Sequence, residues 1–149
     1  MIDNDARTAL AENIRHLVAG VISNDEFEKR IPLNSPDPAI QAIFFGGAWQ
    51  LYSDLQTMFL RDKHRASKAV RKDSARWILF LKSGLPYEWP HHHHLLCLLW
   101  LPFYIITLGR IGVLRRSLFA RHGDLTIWPF IRRSDFEKML ASNTNSSSA

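Results

Sequence analysis

One cysteine, Cys97, stands in the 149-residue chain. That scarcity excludes an intrachain disulfide and a cysteine-based zinc finger. Cys97 lies inside an apolar stretch, where a thiol behaves as a small inert hydrophobe. A nucleophile needs an electropositive, partly exposed setting instead, so a catalytic pairing with His94 has little behind it. The opening decamer, MIDNDARTAL, is acidic and has no apolar stretch. It reads as neither a secretory signal nor a transit peptide, and a cytoplasmic start is expected. GxGxxG, P-loop, HExxH, GxSxG and EF-hand patterns are all missing. No cofactor is therefore expected, and the chain reads as non-catalytic.

The most informative absence is of charge. From Trp89 to Gly109, 21 consecutive residues include no Asp, Glu, Lys or Arg. The centre of this run is LLCLLWLPFYIITL, residues 95–108. Four histidines, His91 to His94, lead into it, and Arg110, Arg115, Arg116 and Arg121 follow. A run this apolar must be hidden from water, in lipid or in a protein core.

Residues 95–114 would make a helix about 30 Å long, which matches the hydrocarbon thickness of a bilayer. Trp89, Trp100 and Tyr104 are amphipathic aromatics suited to a membrane interface. Arg110, Arg115, Arg116 and Arg121 suit anionic head groups. Against a clean span stand Pro102, which kinks a helix, and Gly109, Arg110 and Gly112, which offset much of the insertion energy. A spanning segment, an interfacial or re-entrant one, and a buried core all remain open. In the core reading Pro102 separates two elements, and FYIITL pairs with LTIWPF in a small sheet. Both flanks of the run are basic, which suits a hairpin-like or interfacial insertion with both ends in the cytoplasm.

Charge is distributed unevenly. Residues 1–60 carry four basic and eight acidic side chains, whereas residues 61–149 carry fifteen and six. The basic half thus contains the apolar run. Positive charge suits an anionic membrane surface or nucleic acid equally.

The fold class expected is mainly α: one small domain of five to six helices over residues 1–141, then a disordered polar tail over 142–149. A first helix begins near Asp3 to Asp5 and stops at Gly20, with Leu10, Ile14, Leu17, Val18 and Val21 as its apolar stripe. Ser23 and Glu26 form a capping box ahead of a short helix that ends before Pro32. Asp37 and Pro38 open a third helix, expected to reach about Arg61 along a face that includes Ile40, Ile43, Phe44, Leu51, Leu55, Met58 and Phe59. Gly46-Gly47 in its middle costs roughly 1 kcal/mol per glycine and marks a close crossing or a break. A fourth helix covers Ser67 to Ser83 and buries Val70, Trp77, Ile78 and Leu81. A short extended element is expected near residues 125–131, with Pro129 confining it to an edge. A second capping box, Ser134 with Glu137, opens a last helix to about Leu140.

Three clusters could carry chemistry. His91 and His94 share a helix face and could begin a metal site. Only Glu88, His122 and Asp124 offer further ligands, so no metal site is assigned. Glu88, between Tyr87 and Trp89, could act as an acid or base if desolvated, but pairing with Arg76 or exposure to solvent is the simpler reading. Lys68, Arg71, Lys72 and Arg76 would line one helix face and could contact nucleic-acid phosphates.

These residues read as a non-catalytic protein that associates with the cytoplasmic side of a membrane through residues 95–114. A protein partner would meet its acidic helices. The alternatives are a soluble basic module that binds nucleic acid or regulates, and a histidine-dependent metal protein.

Overall fold

The computed structural model describes residues 1–53, 55–89 and 123–146. Among them it is mainly helical, with α1 Asn4–Val18, α2 Asn24–Lys29, α3 Pro38–Gly46, α4 Lys68–Lys82 and α5 Arg133–Ser146. The apolar run 95–114, the histidines and the arginines that follow lie outside the described residues.

Each of the first four helices begins where a side chain replaces a missing backbone partner. Asp3 accepts from the Ala6 amide, Ser23 from Glu26, Asp37 from Ala39 and Ser67 from Val70. α1 ends at Val18; the Gly20 amide donates to the Leu17 carbonyl, and the φ of +70° at Gly20 lets the Val21 amide reach that of His16. This reversal turns Val21 out of the apolar stripe expected of it and leaves it 63% exposed.

α1 packs most extensively on α4. Leu10, Ile14 and Leu17 are buried on one side, and Trp77, Phe80 and Leu81 on the other. Burying side chains of this size contributes about 1.5–3 kcal/mol each. Phe27, Ile40, Ile43 and Phe44 extend the same core across α2 and α3, and Ile127 and Phe130 close it from the C-terminal side.

The long third helix does not form. α3 stops at Gly46, a 3-10 turn follows at Ala48–Leu51, and residues 55–61 are irregular. The break coincides with a tertiary contact. A Cβ at Gly47 would lie 2.8 Å from Cζ2 of Trp77, and one at Gly46 would lie 3.2 Å from two ring atoms of Trp128. The two indoles meet edge to face, 6.1 Å apart, against this glycine pair. Beyond the break, buried Asn24 donates to the carbonyls of Ser53 and Gln56 and accepts from the Met58 amide. Backbone groups that a helix would have paired internally are satisfied by one side chain instead. Leu55, expected on the buried face, is 94% exposed.

Two further expectations change near the C-terminus. The stretch expected to be extended begins as a 3-10 turn, Leu125–Ile127, capped by Asp124, and a cis Trp128-Pro129 bond follows. α5 starts at Arg133, so Ser134 sits inside its first turn, and it runs to Ser146 through part of the segment expected to be disordered.

Candidate functional site

Trp89 and Gly123 are the described residues that bracket the apolar segment, and they touch. A Cβ on Gly123 would stand 3.1 Å from Cη2 and Cζ2 of Trp89 and 3.2 Å from the Ile131 carbonyl. Glycine is therefore what lets the chain return so close to the indole. Trp89 is 1% exposed, and its Nε1 donates to the Pro129 carbonyl at 2.9 Å. The interface-anchor role expected of Trp89 does not fit this burial, because its polar edge is already bonded inside the domain. Trp100, Tyr104, Arg110, Arg115, Arg116 and Arg121 lie outside the described residues.

The walls of this junction are aromatic. Phe80 meets Phe130 edge to face at 5.1 Å and Tyr87 at 6.2 Å. The Tyr87 hydroxyl accepts from Trp128 Nε1 at 3.4 Å, and burial pushes its pKa above the usual phenol value. A cleft of about 30 Å³ lies beside it, lined by Phe80, Leu85, Pro86, Glu88, Phe130 and Asp135 among others. That is room for little more than one water, far below a substrate pocket of roughly 300 Å³ or more. Glu88 is exposed at its rim, the solvent-facing one of the readings open to it, and Arg76 bonds elsewhere.

Arg76 is occupied elsewhere. Its Nε donates to the Trp128 carbonyl at 2.8 Å, one terminal nitrogen to Thr126 at 2.6 Å and the other to Asp73 at 2.6 Å. The guanidinium ties α4 to the 3-10 turn, which separates it from the three other basic residues expected beside it. Lys68, Arg71 and Lys72 are exposed on α4 and make no ion pair among the described residues.

The deepest charges form a group that the sequence did not flag. Arg7 and Asp37 have side-chain exposures of 1% and 0%. Arg7 Nε reaches Asp37 Oδ2 at 2.5 Å and Nη2 reaches Oδ1 at 3.1 Å. The third nitrogen donates to the Leu85 carbonyl at 2.7 Å, and the guanidinium lies over the Phe80 ring. Asp37 also accepts from the amides of Asp3 and Ala39. Burial acts to raise the Asp37 pKa, but these donors and the arginine charge together hold it below the ordinary carboxylate value. Every donor and acceptor around the pair faces inward, so it fastens the start of α1 to the start of α3 and the end of α4.

Among the described residues no three His, Cys, Asp or Glu side chains are grouped to hold a metal ion, and no helix is long and apolar enough to cross a membrane. His91 to His94, Cys97 and His122 are outside those residues. Compared with known proteins, the chain matches no family model, no curated protein and no solved structure.

Proposed function

We propose that this chain is a non-catalytic helical domain that associates with a membrane by inserting residues 95–114 as a hairpin-like or interfacial element, both ends on the cytoplasmic face. The contact between Trp89 and Gly123 supports this reading most directly. One helical crossing would part its ends by about 30 Å, the thickness of the hydrocarbon core. Ends that touch favour an element that enters and leaves on one side. The 20 residues from 95 to 114 allow about 10 per leg, or about 15 Å of helix, which reaches into the bilayer without crossing it. Arg110, Arg115, Arg116 and Arg121 would stay with anionic head groups. The acidic N-terminal part of the chain, residues 1–60, would face the cytosol and offer a surface to a protein partner.

Vesicle flotation of the full chain tests the reading. Co-flotation with vesicles containing anionic lipid is expected, with loss on Leu99→Glu plus Ile105→Glu, since a buried carboxylate costs about 2.5–3.5 kcal/mol at mid-membrane. Full recovery of the unaltered chain in the soluble fraction would overturn it.

A further inference from the structure

We propose that the exposed basic strip at residues 61–72 is a second interaction surface, one that binds the phosphate backbone of nucleic acid without reading its sequence. The strip joins a 3-10 turn, Asp62–His64, to the first turn of α4. Lys63, Arg65, Lys68, Arg71 and Lys72 are all exposed, and none makes an ion pair among the described residues. Arg61 lies over the Phe59 ring, 4.6 Å from its centroid, with its side chain at the surface.

The nearby acids compete little. Asp73 is bonded to Arg76, and within the strip Asp62 stands against six Lys or Arg residues. Unpaired cations on a helix and the loop before it are the groups that displace counterions from a polyphosphate.

The choice of nucleic acid over lipid rests on what the strip does not expose. Ala66 is buried and Val70 is half-buried, so from Lys63 to Lys72 no large apolar side chain is exposed among the cations. A surface that lies in a membrane interface needs apolar side chains to bury beside its positive charge. Phosphate contacts need only charge and reach. The binding proposed is through phosphates, and phosphate contacts position a protein on a duplex without carrying sequence information.

The test compares two triple variants of equal charge change, Lys68→Gln/Arg71→Gln/Lys72→Gln in the strip and Lys82→Gln/Arg132→Gln/Lys138→Gln outside it. All six side chains are exposed, so neither set disturbs the core. Fluorescence anisotropy on two unrelated 24-base-pair DNA duplexes and one RNA duplex, at several salt concentrations, reads the binding. The strip variant should weaken affinity about tenfold or more at low salt and reduce the slope of log K against log salt by about 2.7. Lys63→Gln/Arg65→Gln should act in the same direction, and the outside triple should change affinity far less. Absence of binding to all three duplexes would overturn the proposal. So would equal loss in the two triples, or loss of anionic-vesicle binding in the strip variant with nucleic-acid affinity intact. The membrane reading is tested by substitutions at Leu99 and Ile105, so each can fail without the other.

Discussion

Trp89 occupies the space that a side chain at Gly123 would need, so the described residues on either side of the 33-residue stretch 90–122 lie in contact. Gly123→Ala should cost about 1–3 kcal/mol through overpacking, and Trp89→Ala about 3–5 kcal/mol through the cavity it leaves. Urea denaturation gives both values. Gly84→Ala, at a site with open space but a φ of +66°, separates backbone strain from crowding.

Gly47 and Trp77 should be coupled. Gly47→Ala forces a contact of 2.8 Å to move and should destabilise by about 1–3 kcal/mol. With Trp77→Phe in place the space opens, and the added penalty of Gly47→Ala should shrink. A double-mutant cycle is expected to show an interaction of at least about 0.5 kcal/mol. Additive effects would mean that helix propensity, not the indole, ends α3.

Asp37 carries a pH dependence with a definite sign. Its folded pKa lies below its ordinary value of 3.8, so the ionised form is favoured by folding. That contribution is complete above 3.8 and is lost as pH falls through the lower, folded value. Asp37→Asn should cost about 3–5 kcal/mol at neutral pH because Arg7 is left buried without its partner. Chemical denaturation from pH 2 to 7 should show a flatter acid limb for the variant. Asp124 has the same sign at the surface, where Thr126 and then Arg133 lower its pKa to about 2, and a carboxyl NMR titration reads it.

Arg76 is expected to matter for stability and not for phosphate binding. Arg76→Gln removes three hydrogen bonds, one to Asp73 within α4 and two that join α4 to residues 126 and 128. A loss of about 1–3 kcal/mol should appear in thermal unfolding. Affinity for duplex DNA should stay near that of the unaltered chain.

What the sequence disclosed was local chemistry. Ser23 and Asp37 cap the helices they precede, and Leu10, Ile14 and Leu17 fall on the buried stripe because cap and period are both written within a few residues. The misreadings arise where a distant partner decides. α3 ends where Trp77 approaches Gly47 from another helix, and in the irregular stretch that follows Asn24 bonds to Ser53, Gln56 and Met58. The Arg7–Asp37 pair left one trace: Arg7 stands on the same stripe as Leu10, Ile14 and Leu17, where a charge is out of place unless a partner meets it. Trp89 looked like an interface anchor because an amphipathic ring beside an apolar run fits a membrane surface and a core equally well. Its bond to Pro129 is a tertiary fact.

The membrane account is tested most directly by asking on which side the two ends of the inserted segment lie. In a Cys97→Ser background, Lys82→Cys and Leu125→Cys place single thiols on exposed residues flanking it. With the chain bound to sealed vesicles, a membrane-impermeant maleimide should label both positions from outside to the same extent, before and after detergent. Labelling of one position only until detergent is added would contradict an insertion with both ends on one face.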